Sequence, residues 1–169
     1  MFNYDDVVKI LYNKLYYEQR LISIIDDSAR QIIINNPIEL QQYNNSTIKI
    51  EGMERYSNSM WNACNLLSKK YAHFGPITCH VFIAKENSIS FPLHTDPDDV
   101  IIHCLAGTKK LEINGKKVIL NPKQEVYIKA NTPHKAINET SSIILSFGLE
   151  KFLIDKDKNY ELDVLFENN

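Results

Sequence analysis

The second half of the chain consists of short apolar runs separated by turn-forming residues, and this pattern limits the fold more than any other feature. The runs are rich in β-branched and aromatic residues, as β-strands are. They predict strands at about 77–84, 88–94, 99–106, 109–114, 116–120, 125–129, 134–139 and 142–150. Asn114-Gly115, between two of these runs, is a strong signal for a two-residue β-hairpin. Short strands at this density favour a small barrel of two packed sheets, a jelly roll or cupin.

The first half of the chain has the periodicity of helices. From residue 5 to about residue 34, apolar side chains recur at spacings of three and four, which predicts one long helix. A short extended segment is predicted at 47–50, and a second helix fits 53–73, before Gly75-Pro76 ends this region. We therefore predict a mainly β protein, a double-stranded β-helix (jelly roll, cupin) with an N-terminal α-helical cover.

The length of 169 residues suits one domain that is large enough to bury a core. The sequence contains no internal repeat and no low-complexity linker, so we expect a single domain over 1–169. Within it, 1–75 would form the helical cover, 76–150 the barrel core and 151–169 a C-terminal extension. The apolar N-terminal stripe could mediate a homodimer or be buried within the monomer, and the sequence leaves both alternatives open.

Charge and cysteine usage exclude several classes of protein. A formal net charge of −2 and a pI near 6.2 give no electrostatic reason to expect nucleic acid as a partner. The three cysteines form no C-x-x-C pair, so we predict neither a disulfide framework nor a zinc knuckle. Free cysteines suit a reducing compartment, and we therefore predict a cytoplasmic location. The acidic N-terminus is unlike a signal peptide, and no apolar run is long enough to span a membrane. The expected partner is a small-molecule or peptide substrate.

The stretch Phe91–Asp96 carries the strongest indication of chemistry. His94 and Asp96 are two residues apart, and on an extended strand such residues point to the same side. His134, at the start of a late predicted strand, is the best candidate for a third ligand. Two histidines and one carboxylate can form the facial triad of non-haem Fe(II) oxygenases. An isolated His-x-Asp triplet is also common by chance, so a purely structural role remains an alternative.

The remaining histidines and Lys109 also have both structural and functional interpretations. His73, His80 and His103 are expected to be structural or solvated rather than ligands, because they lie at a helix end or within strands. Lys109 lies fifteen positions after His94. It could be an ordinary solvated turn lysine. It could also be the cation that a barrel needs in order to pair with the far carboxylate of a dicarboxylate cosubstrate.

These residues together resemble the JmjC-type cupin oxygenases that depend on Fe(II) and 2-oxoglutarate, asparaginyl hydroxylases among them. The resemblance covers about 77–149 and is carried by His94-Thr95-Asp96, Gly107-Thr108-Lys109, and Val126-Tyr127-Ile128 ahead of His134. It implies that His94, Asp96 and His134 bind Fe(II) and that Lys109 binds the C5 carboxylate of 2-oxoglutarate. It also implies that Ser146 lies near a position where the family can direct a polar side chain toward the cosubstrate.

The sequence departs from the family pattern at several positions. Phe91 stands where the family often has a threonine hydroxyl for 2-oxoglutarate, and Lys129 replaces a proline. Gln124-Glu125 replaces a glycine-aspartate pair. A tyrosine partner for the cosubstrate would have to come from elsewhere, and Tyr56 and Tyr71 are both candidates.

The resemblance implies a dioxygenase that hydroxylates a C–H bond of an amino acid, a peptide side chain or an amino-acid-derived metabolite. Two alternatives stay open. One is a metal-dependent cupin isomerase, lyase or dioxygenase that needs no 2-oxoglutarate. The other is a non-catalytic cupin that only binds a ligand.

Overall fold

The computed structural model describes residues 2–152, and the helices and strands of this part follow in chain order. The helices are α1 (Tyr4–Leu11), α2 (Lys14–Glu18), α3 (Pro37–Leu40) and α4 (Asn58–Lys70), with a 3-10 turn at Met53–Arg55. The strands are β1 (Ile22–Ile25), β2 (Gln31–Ile33), β3 (Ile48–Ile50), β4 (Ile77–Ala84), β5 (Asp99–Gly107), β6 (Lys109–Ile113), β7 (Lys116–Leu120), β8 (Glu125–Ile128), β9 (His134–Ile137) and β10 (Ser142–Leu149). None of the described helices is long and apolar enough to cross a bilayer.

The strands form two antiparallel sheets, as predicted for a jelly roll. The larger sheet has seven strands in the order β2-β1-β3-β4-β10-β5-β8, and the smaller has three in the order β7-β6-β9. Seven of the eight strands predicted after residue 77 are present with nearly the predicted bounds. The predicted hairpin is also present: Asn114 and Gly115 connect β6 to β7 with φ of 48° and 74°, as this turn requires.

The larger sheet is covered on both faces because its central strands alternate between two cores. Cys79 and Val81 of β4 pack with the N-terminal helices, whereas Phe82 packs with the second core between the two sheets. The same alternation runs through β5, where Ile101 and Ile102 join opposite cores. The described part of the chain therefore has three layers, with helices on one side of the larger sheet and the smaller sheet on the other.

The prediction of one long helix over residues 5–34 is wrong. Only α1 and α2 are helical, and Arg20 takes a left-handed conformation with φ of 59° just after α2. The residues beyond it are rich in isoleucine and form a hairpin of β1 and β2. Its turn is fixed by Asp26 Oδ1, which accepts hydrogen bonds from the backbone N–H groups of Ser28 and Arg30 at 2.9 and 2.8 Å. β-Branched side chains and this turn outweighed the helical spacing.

Two further predictions need correction. The second helix is shorter than 53–73, because a 3-10 turn occupies its start and Ser57 then caps α4 through its hydroxyl. The strand predicted at 88–94 does not form; isolated bridges at Ile89 and His94 take its place in the connection 85–98, called here the β4–β5 loop. Most of the predicted C-terminal extension, residues 153–169, lies outside the described residues.

Candidate metal centre and cavity

The structure brings His94, Asp96 and His134 together. One ligand atom from each side chain lies within 4.8 Å of the other two. The backbones of His94 and His134 exchange two hydrogen bonds of 3.0 and 2.8 Å, which join the β4–β5 loop to the start of β9. The carbonyl of Asp96 accepts a further hydrogen bond of 2.8 Å from the backbone N–H of Asn131. Backbone pairing therefore holds His134 beside His94 and Asp96, which precede it by forty and thirty-eight positions in the sequence.

Both histidines are oriented by the same local hydrogen bond. The Nδ1 of His94 lies 2.8 Å from the carbonyl of Pro92, and the Nδ1 of His134 lies 2.9 Å from the carbonyl of Thr132. Because a carbonyl can only accept, Nδ1 must carry the proton in each ring. In the neutral imidazole this leaves the lone pair on Nε2, which is the arrangement that metal-binding histidines show.

Asp96 and His134 stabilise each other's charged form. The Nε2 of His134 lies 3.3 Å from Oδ2 of Asp96. This hydrogen bond is the main cause that raises the pKa of His134 and lowers the pKa of Asp96. A bound cation could take the place of the proton between them, since metal ligands must be deprotonated.

The three side chains line a cavity of about 470 Å³ between the two sheets. This volume is within the range of small-molecule sites. One wall comes from the larger sheet and the other from β6, β9 and the β4–β5 loop. Apolar side chains form much of the lining, among them Phe82, Phe91, Val100, Ile102, Leu111 and Ile144. The ring of Phe91 lies 5.9 Å from that of His94, so the part of the cavity next to His94 is apolar.

Ser146 also lines the cavity, on the wall formed by the larger sheet, and His80 lies directly opposite it in the pairing of β10 with β4. His80 was expected to be structural or solvated, and the structure instead places it in this wall. Lys49 of β3 lines the cavity as well, and no motif in the sequence identifies it. The alternation of buried Cys79 and Val81 with Thr78, His80 and Phe82 was the signal that could have identified His80.

Lys109 does not line this cavity. It is buried, with 2% of its surface exposed, and Nζ donates a 2.6 Å hydrogen bond to Oδ1 of Asn138. Among the described residues no carboxylate lies within ion-pair distance of it. Burial lowers the pKa of Lys109 to about 8. Asn138 in turn donates to Thr47 and Ser88, so Lys109 belongs to a buried polar network beside the cavity.

Neither candidate tyrosine reaches the cavity. Tyr56 packs edge-on against Phe2, with ring centroids 5.5 Å apart. Tyr71 stacks on Tyr127 at the outer end of α4, and its hydroxyl lies 3.4 Å from Glu125. The cavity therefore has no tyrosine from this pair as a partner for a ligand.

Part of the chain is similar to a known protein family. Residues 80–147 match a family model described as "Cupin domain", and the match contains both His94 and His134. The match and the sheet topology agree with the predicted fold, and they concern the broad cupin class rather than JmjC oxygenases in particular. No curated protein matches the sequence significantly.

Similar solved structures come from several bacteria. A conserved Streptococcus pyogenes protein of unknown function is 12% identical, with 64% of this chain and 77% of that chain covered and a TM-score of 0.47. KdgF from Halomonas sp. is 16% identical, with 63% and 81% covered and a TM-score of 0.44. The DMSP lyase DddQ from Ruegeria pomeroyi is 18% identical, with 47% and 41% covered and a TM-score of 0.41.

Proposed function

We propose that the protein is a metal-dependent cupin enzyme in which His94, Asp96 and His134 hold one divalent ion. The hydrogen bonding of the two imidazoles carries this proposal. Each Nδ1 is tied to a backbone carbonyl, so each Nε2 can be directed at the ion beside the Asp96 carboxylate. A histidine that only fills a core would need neither this fixed tautomer nor an adjacent carboxylate in a cavity.

The donor set fits Fe(II). Two imidazoles and one carboxylate leave coordination positions open for other ligands, as in the facial triad of non-haem iron enzymes. The ion would supply Lewis-acid and redox chemistry that no side chain of the cavity offers. The protein's own contribution is to fix the ligands, to orient the substrate and to exclude water by the apolar walls around the triad.

For the reaction, we propose oxidation with 2-oxoglutarate as cosubstrate and hydroxylation of a C–H bond in an amino acid, a peptide side chain or an amino-acid-derived metabolite. The sequence resemblance supports this, as does the presence of Ser146 in the cavity wall. The cavity is large enough for two small molecules of this kind side by side. The keto-acid end of the cosubstrate would face the triad, and the substrate would lie against the apolar wall.

The position of Lys109 favours a second candidate. Ile113 lies opposite His134 in the pairing of β6 with β9, and Lys109 is four residues further along β6. That spacing corresponds to about 13 Å along a strand. Lys109 would have to leave Asn138 and lean toward the triad in order to bind a cosubstrate there. A metal-dependent lyase or isomerase that acts on a chelating substrate would not need this lysine.

A metal titration followed by a turnover assay tests both proposals. The protein is first titrated anaerobically with Mn(II) by calorimetry, and then loaded with Fe(II) and supplied with oxygen and 2-oxoglutarate. We expect one Mn(II) site, and succinate formation by the wild type. His94→Ala should lose both, because it removes one of three ligands. His73→Ala is the matched control, since His73 follows α4 outside the cavity, and it should retain both.

The outcomes separate the candidates. Absence of Mn(II) binding by the wild type would contradict the metal centre. Binding that depends on His94 without any succinate formation would contradict the 2-oxoglutarate scheme and favour the lyase or isomerase. Succinate formation that persists in His94→Ala would show that free iron, and not this site, carries the reaction.

A further inference from the structure

The cavity wall formed by the larger sheet carries three polar side chains close to one another. They are Lys49 of β3, His80 of β4 and Ser146 of β10. His80 lies opposite Ser146 of β10. Lys49 of β3 lies opposite Phe82, which is two residues after His80 and on the same face of β4. Directly opposed residues have Cβ atoms about 5 Å apart and diagonal ones about 7–8 Å apart. One small ligand group could therefore contact all three side chains.

His80 has a hydrogen-bonding atom that the protein leaves unused. Its Nδ1 is buried and has no partner among the described residues. Burial also lowers the pKa of His80, so the ring is neutral and must place its proton on one of its two nitrogens. Buried polar atoms without a partner are rare in native structures and indicate a ligand or an ordered water. The hydroxyl of Ser146 likewise has no partner in the described part of the chain.

Lys49 provides a positive charge at the same place. Its ammonium donates to Glu51 and lies 3.4 Å from Oε1 of Gln31, which accounts for two of its three donors. Its side chain is only 14% exposed. Lys49 therefore brings a largely buried cation with one free donor to the lining of the cavity.

We propose that Lys49, His80 and Ser146 form a carboxylate-binding site for the far end of a small acid whose near end binds the metal. The near end rests on the proposed metal centre, whereas the far end depends only on this cluster. Lys49 would pair with the carboxylate, and Ser146 and the Nδ1–H tautomer of His80 would donate to it. Packed sheets are about 10 Å apart, so the acid would span from the triad on one wall to the cluster on the other.

Glu150 and Asp98, two acidic side chains of the cavity lining, are held by donors of the protein itself. Glu150 accepts a 2.9 Å hydrogen bond from Thr78, and Asp98 accepts one of 3.2 Å from the backbone N–H of Lys151. The Glu150 side chain folds back over Gly148, two residues from Ser146 in β10, and its Oε1 lies 3.9 Å from the position that a Cβ of Gly148 would take. A carboxylate ligand would compete with Glu51 for the Lys49 ammonium and would use the donor that Glu51 and Gln31 leave free.

This assignment differs from the one that the sequence resemblance implies. Lys109 lies outside the cavity lining and is held by Asn138, whereas Lys49 already faces the cavity. The cluster would take the far carboxylate of 2-oxoglutarate if that acid is the cosubstrate. It would take the carboxylate of the substrate itself if the enzyme acts on a chelating acid directly.

Two keto acids of equal length isolate the far carboxylate. 2-Oxoglutarate and 2-oxopentanoate share the metal-chelating end, but only the first has a carboxylate at the other end. We expect the Mn(II)-loaded wild type to bind 2-oxoglutarate at least about tenfold more tightly, the factor that one charge-assisted hydrogen bond supplies. Lys49→Met should bring this ratio close to one and leave Mn(II) affinity unchanged. Lys49→Arg, which keeps the charge, should preserve most of the ratio.

Two other lysines serve as controls. Lys110→Met removes a cation that pairs with Glu139 outside the cavity and should keep the ratio. Lys109→Met should also keep it. A ratio close to one in the wild type would overturn the proposal. Loss of the ratio in Lys109→Met together with its retention in Lys49→Met would overturn it as well and restore the assignment to Lys109.

The carboxylate site can be tested even if the protein binds no metal. If Mn(II) does not bind, glutarate and pentanoate are titrated against the metal-free protein, and the ring protons of His80 are followed by NMR. A preference for glutarate that disappears in Lys49→Met would support the carboxylate site while the metal proposal fails. Equal response to both acids would overturn the carboxylate site independently of the metal.

Discussion

The buried ammonium of Lys109 predicts a pH-dependent stability that can be measured. Burial lowers the pKa of this lysine from 10.5 to about 8. The unfolded chain therefore binds more protons at this position than the folded chain between pH 8 and 10.5, and stability must rise with pH over that interval. The interval corresponds to about 3 kcal/mol at 1.36 kcal/mol per pH unit. Most of this, about 2.5 kcal/mol, should be gained between pH 7 and 10.

Lys109→Met isolates this contribution from all other titrations. Methionine has a similar length and no charge, and the buried Oδ1 of Asn138 that it leaves unpaired costs the same free energy at every pH. The free energy of unfolding is measured in urea at pH 7, 8, 9 and 10 for both proteins. We expect the wild type to gain about 2.5 kcal/mol relative to Lys109→Met from pH 7 to pH 10.

A constant difference between the two proteins over this range would refute the reasoning. It would mean that Lys109 stays charged in the folded protein, because a partner or water that the described contacts do not include solvates its ammonium. A difference that falls as pH rises would reverse the sign and would require an anion beside Lys109 in the folded state.

Two further predictions concern the barrel. Gly107→Ala should destabilise the protein by at least about 3 kcal/mol, because φ is +71° and a Cβ would lie 2.1 Å from the carbonyl oxygen of Ser141. Gly115→Ala has a similar φ but open space around it, and should cost only about 1–2 kcal/mol in the same urea experiment. Leu111→Ala, at a buried position between the sheets, should cost about 2–5 kcal/mol by chemical denaturation. Ile119→Ala, which is exposed on β7, should change stability much less; equal losses would contradict the core assignment.

The barrel strands could be predicted because local signals and tertiary structure agree there. Asn114-Gly115 favours a tight turn in which both residues have positive φ, and the apolar runs on either side of it are too short for helices. The N-terminal segment was mispredicted because its isoleucines fit a helical spacing by coincidence. The hairpin depends on the Asp26 turn and on pairing of β1 with β3, which lies more than twenty residues away and leaves no local trace.

The triad could be proposed from the sequence, and Ser146 from the family resemblance, whereas the roles of His80 and Lys49 in the cavity wall could not. His94 and Asp96 are linked by their spacing, and His134 follows a turn that starts a strand. The positions of His80 and Lys49 depend on which face of β4 and β3 points to the smaller sheet, which follows only from the sheet order. The burial of Lys109 beside Asn138 depends on the register of β6 against β9, which spacing alone does not give.

The larger sheet extends beyond the region that matches the family model, so that region does not contain all the strands that form the cavity wall. The family match begins at residue 80, yet β3 hydrogen-bonds to β4, and both Lys49 of β3 and Thr47 just before it line the cavity. In a chain shortened to the matched region, β4 would become an edge strand with unpaired backbone groups, and the apolar face on which the helices now pack would be exposed. The N-terminal third is therefore part of the architecture of the pocket, and shortened expression clones or grafts of this barrel would have to carry it.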